Sequence, residues 1–156
     1  MLAKSLFPSA QVFLSDLDSA ALSLAFENSQ IHAVDGFVRG DLLSWCGSSC
    51  VDIIIANPPY VDANDMRELP AEYRHERGLA LAGGEDGLDL VRILLTDAAR
   101  ILRHTGLLVL EVGNSFEALD DLSEQLHPIW VELEQGGHGV GVFMAQDLAQ
   151  WVVLED

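Results

Sequence analysis

The segment NPPY at residues 57–60 follows directly on the apolar run VDIIIA and carries the most chemically suggestive residues of the chain. Pro58 restricts Asn57 to extended backbone, and a proline has no N–H to donate, so the carbonyl groups here need not close local turns. The Asn57 side-chain oxygen and the Pro58 carbonyl can together accept both hydrogens of a planar NH2 group, with Tyr60 as an aromatic face beside them. This pattern predicts a site that holds an amide or an amino-bearing base.

Polar side chains also end three other apolar runs: Asp16 after QVFLS, Asp41 in RGDLL and Glu111 in LEVG. Ligands of a mostly parallel sheet lie beyond the carboxyl ends of its strands, so these residues and Asn57 are candidate ligand contacts. Structural alternatives stay open. Asp16 and Asp41 are suited to capping helices, Asn57 to a turn before prolines, and Glu111 to support of its strand.

The spacing of apolar residues predicts the elements that position these side chains. We expect strands over 11–17, 36–43, 50–57 and 107–113, helices over 19–30, 88–104 and 115–126, and an antiparallel hairpin of strands 130–135 and 140–146. Strand 50–57 is so continuously apolar that both of its faces should be covered, and residues 57–87 read as a functional loop. Alternation of strands and helices predicts an α/β fold with a mostly parallel sheet.

Composition narrows the functional classes. The chain has 156 residues, 49% of them hydrophobic, which predicts one domain with a single core. Its net charge of −17 repels a nucleic-acid backbone, so we expect no direct nucleic-acid partner. No apolar run approaches the ~20 residues of a membrane span and the start of the chain does not read as a secretory signal, so we expect no membrane association and a cytoplasmic location.

The cysteines and histidines do not predict a metal site. Cys46 and Cys50 have neither a second cysteine pair nor a nearby histidine pair to complete one, and the five histidines are dispersed. Two reduced thiols in a turn are the expected arrangement.

NPPY after an apolar strand resembles the signature of Rossmann-like, S-adenosylmethionine-dependent methyltransferases that act on planar nitrogens. That group includes the amino-methylases of DNA bases and the HemK/PrmB protein glutamine methyltransferases. The longer pattern NPPYVDANDMRELPAEYRHERGLALAGGEDGLDL, with LEVGNSFEAL and GGHGVGVFM after it, is similar to the PrmB branch, and the similarity extends over about residues 1–148. It implies methylation of a glutamine in the large-subunit ribosomal protein L-three.

The resemblance implies that S-adenosylmethionine is the cofactor, and it also implies which residues bind it. Asp16 takes the place of the acid that receives the ribose hydroxyls. Asp41 takes the place of the acid that meets the adenine amino group, with the Leu42 backbone beside it. Asn57 counts among both the cofactor contacts and the catalytic residues.

The catalytic set implied by the resemblance is Asn57, Pro58 and Tyr60. The Asn57 side chain and the Pro58 carbonyl hold the amide of the substrate glutamine, and no metal takes part. The segment YRHE also matches a stretch of the family, but no chemical role follows from its residue types, and it is left out of the catalytic set.

A nucleotide-binding fold of this type has a glycine-rich turn roughly 20 residues before its ribose acid, which from Asp16 places that turn ahead of Met1. We therefore expect residues 1–156 to be a partial catalytic domain whose first strand and glycine loop lie outside it. In the family that first strand lies between the strands ending at Asp16 and Asn57. Without it, two strand edges are unpaired, which predicts self-association, weak cofactor binding and negligible activity.

Two other functions compete with glutamine methylation. One is amino-methylation of DNA or RNA bases, which the net charge of −17 disfavours. The other is a non-catalytic fragment or interaction module that keeps part of the fold.

Overall fold

A computed structural model describes residues 2–29, 34–59, 88–122, 126–132 and 139–155. These residues form a mixed α/β structure with two compact units, Met1–Cys46 and Gly47–Asp156. The predicted α/β class is confirmed.

The first unit contains the helices and strands that carry the two candidate aspartates: α1 (Leu2–Leu6), β1 (Phe13–Asp16), α2 (Ser19–Ser29) and β2 (Gly36–Arg39). Strands β1 and β2 pair in parallel, with Asp16 opposite Arg39. Helix α2 begins where Asp18 Oδ1 accepts the Ala20 N–H at 2.8 Å, a side-chain cap of the first turn. The parallel pairing brings the carboxyl ends of β1 and β2 to the same edge of the sheet.

A charged contact fixes the opposite end of this strand pair. Lys4 Nζ lies 2.8 Å from Asp35 Oδ2, and the same oxygen accepts the Val12 N–H at 2.8 Å. The Asp35 N–H donates in return to the Val12 carbonyl. The hydrogen bond from Lys4, and after it the one from Val12, lowers the pKa of the Asp35 carboxyl from its ordinary 3.8. Helix α1 is thereby tied to the beginnings of both strands.

The second unit is built on a four-stranded sheet with the order β3-β4-β6-β5. Its elements are β3 (Val51–Ala56), α3 (Asp89–Ile101), β4 (Leu102–Glu111), α4 (Phe116–Leu122), β5 (Ile129–Trp130), β6 (Val140–Met144) and α5 (Ala145–Glu155). Strands β3 and β4 are parallel, and β6 runs antiparallel to both β4 and β5. Strands β5 and β6 are antiparallel neighbours at the sheet edge. The hairpin predicted over 130–146 stays a prediction, because most of its glycine turn, residues 136–138 of 136–139, lies outside the described residues.

The core of this unit forms where α3 and α5 pack against each other and against β4. Apolar residues three or four apart turn one side of α3 inward, and alternate residues of β4 do the same. The fully or almost fully buried side chains include Val91, Leu94, Leu95, Ala98, Leu108, Leu110, Phe143, Leu148 and Trp151. Ile54, Leu108 and Phe143 stand in one cross-strand row of the buried face.

The other face of the same sheet is apolar and partly exposed. Its central cross-strand row, named here the apolar row, is Ile55, Val109, Val142 and Ile129. Ile55 is 68% and Ile129 62% exposed, and in the neighbouring row Ile53 is 44% exposed. The prediction that both faces of strand 50–57 are covered was therefore wrong for β3, because alternate residues point to opposite faces and only the face of Ile54 is packed.

Helix α3 passes into β4 without a loop, although the sequence predicted a helix as far as residue 104. Leu102 pairs with Val51. Arg103 Nη1 donates to both carboxylate oxygens of Asp52, at 2.8 Å to Oδ1 and 2.6 Å to Oδ2. This hydrogen bonding raises the pKa of the Arg103 guanidinium. Pairing with a distant strand has thus replaced the last turn of the predicted helix.

The junction contains a bulge. From the pair Val51–Leu102 to the pair Ile53–Leu107, β3 advances two residues while β4 advances five. Gly106 lies inside it, where a β-carbon would stand 2.9 Å from the Arg103 carbonyl oxygen. The backbone can approach itself this closely because residue 106 has no side chain.

Helix α5 was not predicted. The sequence indicated a strand as far as Gln146, but β6 ends at Met144 and the helix begins at Ala145. Ala145, Leu148 and Trp151 recur every three residues and are buried at 5, 0 and 4% exposure. That spacing was the available signal for a helix.

Candidate functional site

Asp16 is the last residue of β1 and is exposed at the carboxyl end of that strand. Its Oδ1 accepts the Asp18 N–H at 2.8 Å, and its carbonyl accepts the Gly40 N–H at 3.1 Å. Among the described residues its second carboxylate oxygen has no hydrogen-bond partner. One oxygen therefore orients the carboxylate while the other can accept from a ligand.

Asp41 and Leu42 follow β2 through Gly40, whose N–H is bonded to Asp16. Because β1 and β2 are parallel neighbours, Asp16 and Asp41 lie at the ends of adjacent strands in the first unit. The Asp41 carboxylate is exposed and, within the described ranges, accepts no hydrogen bond, while its carbonyl accepts from the Ser44 N–H and hydroxyl. The two predicted cofactor acids share one edge of the sheet.

The turn after β2 has a feature that sequence reasoning missed. Leu42 has a φ of +44°, a conformation that favours glycine. Its carbonyl accepts hydrogen bonds from Trp45 Nε1 at 3.1 Å and from Ser15 Oγ at 3.3 Å, and the same indole N–H also contacts Ser15 Oγ at 3.0 Å. Neither Ser15 nor Trp45 belongs to a sequence motif. Their contact is therefore visible only in the folded strand pair.

Asn57 and Pro58 follow β3 in the second unit. Asn57 is exposed, and its side chain has no hydrogen-bond partner in the part of the chain that the structure describes. Pro58 is buried and Pro59 is exposed. Tyr60 lies outside the described residues.

Comparison with curated proteins reveals close sequence relatives over nearly the whole chain. Proteins named "Ribosomal protein uL3 glutamine methyltransferase" are 39% identical in Burkholderia pseudomallei, over 95% of this chain and 52% of the relative. In Bradyrhizobium diazoefficiens the identity is 41%, over 91% of this chain and 46% of the relative. The chain is a homologue of the uL3 glutamine methyltransferases. No family model matches the sequence.

The resemblance to the PrmB branch inferred from the NPPY pattern is confirmed by these relatives. A third relative, from Bordetella pertussis, is 36% identical over 95% of this chain and 51% of its own length. The chain thus spans about half the length of the curated relatives it matches. The individual roles of Asp16, Asp41, Leu42, Asn57, Pro58 and Tyr60 stay predictions.

The first unit of the chain contains Asp16, Asp41 and Leu42. The second unit contains Asn57 and Pro58. Glu111 ends β4, opposite Val140 and next to the hydrogen bond from the Val112 N–H to the Gly139 carbonyl. Glu111 thus has a defined place in the sheet, and its role as strand support or ligand contact stays open.

The described ranges contain neither a metal-binding cluster nor a membrane-spanning helix. No group of three or more His, Cys, Asp or Glu side chains there is arranged to hold a metal ion. None of the described helices combines the length and the apolar character that crossing a membrane requires.

Proposed function

We propose that this sequence is part of an S-adenosylmethionine-dependent methyltransferase that methylates the side-chain amide nitrogen of a glutamine in ribosomal protein uL3. One observation carries the proposal: relatives with that name are 34–41% identical to the chain and cover 91–95% of it. The protein that carries out this reaction has the length of the relatives and works in the cytoplasm. Residues 1–156 are one partial catalytic domain of it.

The proposed fold is the Rossmann-like sheet of class I methyltransferases, closed at one edge by an antiparallel hairpin. Two features support it. The pair β1–β2 and the pair β3–β4 are parallel, and β6 enters antiparallel between β4 and β5. In the whole protein a further strand and a glycine-rich turn complete the sheet and the cofactor site.

The residues of the first unit fit a nucleoside. Asp16 offers one partnered and one unpartnered carboxylate oxygen, which suits a pair of ribose hydroxyls. Asp41 offers an acceptor for an exocyclic amino group, and the Leu42 N–H a donor for the neighbouring ring nitrogen. S-adenosylmethionine, when bound, supplies a methyl group on a positively charged sulfur.

The residues after β3 explain how an amide becomes reactive. A glutamine amide nitrogen is a weak nucleophile because its lone pair is delocalised into the carbonyl. In this proposal the Asn57 side-chain oxygen and the Pro58 carbonyl accept its two hydrogens and orient the nitrogen toward the methyl group, and Tyr60, which lies outside the described residues, is the third residue of the catalytic set. Methyl transfer would form a nitrogen–methyl bond as the sulfur–methyl bond breaks, leaving S-adenosylhomocysteine, and one amide proton would pass to solvent water. Stabilisation of the charge that develops on the nitrogen lowers the barrier without a dedicated base.

For the chain on its own, we propose that a second copy covers β3 and the apolar row. Strand β3 has one neighbour, β4, within the described residues, so its other edge carries unpaired backbone groups. Ile53 and Ile55 are exposed on the adjacent face. In a protein of the relatives' length, the additional chain covers this surface instead.

The test uses a chimera that joins residues 1–156 to the part of the Burkholderia pseudomallei relative that this chain does not match. We expect radiolabel from S-adenosylmethionine to appear on a glutamine of uL3. Asn57→Ala should lower the rate roughly a hundredfold, the usual loss when one such acceptor is removed. Asn28→Ala is the matched control, since Asn28 is an exposed asparagine on α2 and should leave the rate unchanged.

The other outcomes point to other functions. Label on adenine or cytosine instead of uL3 would indicate a base amino-methylase. Absence of label from the chimera, with the intact relative active under the same conditions, would favour a non-catalytic module.

A further inference from the structure

The turn that follows β2 is held by an indole hydrogen bond that none of the predicted roles uses. Trp45 Nε1 shares its single hydrogen between Ser15 Oγ, at 3.0 Å, and the Leu42 carbonyl, at 3.1 Å. The Ser15 hydroxyl donates to the same carbonyl at 3.3 Å. The three groups form a closed network between the end of β1 and the turn after β2, all within the first unit.

The backbone conformation of the turn requires such support. Leu42 has a φ of +44°, which an L-residue with a large side chain rarely adopts. A conformation of this kind persists only where the surrounding structure enforces it, and it is found more often at ligand sites than elsewhere. Two donors on the Leu42 carbonyl provide that enforcement here.

Gly40 belongs to the same arrangement. A β-carbon at this position would clash with Cδ1 of the Trp45 indole, so the ring packs directly on the backbone just before Asp41. The indole thus contacts the turn on both sides of Asp41, through packing at Gly40 and through hydrogen bonding at Leu42.

The groups that this network orients have no other fixed partner. The Asp41 carboxylate and the Leu42 N–H make no hydrogen bond within the described residues. The turn therefore fixes the direction of the Leu42 N–H and of the Asp41 Cα–Cβ bond, from which the carboxylate extends, and the turn is held by Trp45 and Ser15.

We propose that Trp45, with Ser15, is a positioning residue for recognition of the adenine base: it holds the Asp41 carboxylate and the Leu42 N–H in the geometry that distinguishes an amino-bearing purine from an oxo-purine. This inference rests on the proposed function, in which those two groups meet the adenine ring. Trp45 acts through Asp41 and Leu42 and does not touch the methyl group.

The test compares two cofactor analogues in the chimera described above, which contains this chain in full. S-adenosylhomocysteine carries the amino group that Asp41 accepts. S-inosylhomocysteine carries an oxygen in its place and a hydrogen on the adjacent ring nitrogen, so it offers Asp41 and Leu42 the wrong pattern. Dissociation constants for both are measured by isothermal titration calorimetry.

Trp45→Phe keeps an aromatic ring over Gly40 and removes the N–H. We expect the dissociation constant for S-adenosylhomocysteine to rise about tenfold, the scale of one hydrogen bond to a charged group, and that for S-inosylhomocysteine to change less than about twofold. Ser15→Ala removes the bridging hydroxyl and should act in the same direction to a smaller extent. Trp130→Phe is the matched control, because Trp130 Nε1 also donates a hydrogen bond, to Asp120 Oδ1 at 2.7 Å, but lies in the second unit.

The readout separates positioning from general destabilisation. A Trp45→Phe variant that weakens both analogues equally, or neither, overturns the inference while the proposed function stands. A wild-type chimera that binds no S-adenosylhomocysteine overturns the proposed function as well. Trp45 is 38% exposed, so the variant should fold; if it does not, Ser15→Ala decides the question with the same two ligands.

Discussion

The exposed face of the second unit leads to a quantitative prediction about the chain in solution. Ile55 is 68% exposed on β3, at one end of the apolar row and beside a strand edge without a described partner. Full burial of an isoleucine side chain is worth about 1.5–3 kcal/mol, so covering the exposed part of Ile55 contributes about 1–2 kcal/mol per copy. When two copies cover each other, Ile55→Lys should remove about 2–4 kcal/mol, or roughly 30- to 1,000-fold in the association constant.

Sedimentation velocity over a range of protein concentrations measures this effect. The wild-type chain should associate, and more strongly at higher salt, because screening reduces the repulsion between copies that each carry a net charge of −17. Ile55→Lys should remain monomeric in the same range.

The control is Ile93→Lys, since Ile93 is 52% exposed but lies on α3 and outside the apolar row. It should leave the association constant unchanged. A wild-type chain that is monomeric at its highest soluble concentration would refute the reasoning, as would an equal loss of association in both variants.

Three further predictions concern the stability of the chain. Gly106→Ala should lower the free energy of unfolding by about 1–3 kcal/mol in urea titration, because its β-carbon would stand 2.9 Å from a backbone carbonyl oxygen; an unchanged midpoint would contradict the account of the bulge. Leu108→Ala should lower it by about 2–5 kcal/mol, since the side chain is fully buried, and a loss below 1 kcal/mol would mean that this face is not the core. Lys4 lowers the pKa of Asp35, so the carboxylate stabilises the fold fully above its ordinary pKa of 3.8 and less as the pH falls through the lower folded value. The difference in unfolding free energy between wild type and Asp35→Asn should therefore be constant near neutral pH and shrink in acid titration, whereas a difference independent of pH would count against the Lys4 contact.

Local patterns were sufficient for most elements but not for their ends. The helix α3 and the strand β4 were predicted from their apolar spacing, because one face of each element is buried along its length. The boundary between them was misplaced since residues 102–106 form strand through pairing with Val51 and the Arg103–Asp52 contact, which lies 51 residues apart in the chain. Such long-range contacts override local helix propensity.

The burial of β3 was misjudged for a different reason. A continuous run of apolar residues shows that a strand suits burial, but not that this chain supplies a layer for each face. The side chain of Ile54 packs in the core, whereas those of Ile53 and Ile55, on the opposite face, are exposed. Sequence periodicity reports what a face prefers, and only the packed structure reports what it contacts.

The candidate site was predictable in part. The positions of Asp16 and Asp41 at neighbouring strand ends followed from the rule that parallel strands end at one edge of the sheet, and β1–β2 pairing agrees with it. The network of Ser15, Leu42 and Trp45 was not, because Ser15 lies 27 positions from Leu42 and 30 from Trp45, and neither Ser15 nor Trp45 belongs to a recognisable motif. Residues that orient a ligand contact, rather than form one, become visible only when the strands are paired.

The bulge between α3 and the regular part of β4 has a consequence for how this chain tolerates changes of length. One residue gained or lost beyond Leu107 would invert the strand and turn Leu108 and Leu110 from the interior to the solvent. Residues 103–105 are exposed and already outnumber their counterparts on β3, so an insertion or deletion there is absorbed before it reaches the ladder. Indels among natural variants of this protein should accordingly concentrate in that short stretch and be absent from the strand that follows it.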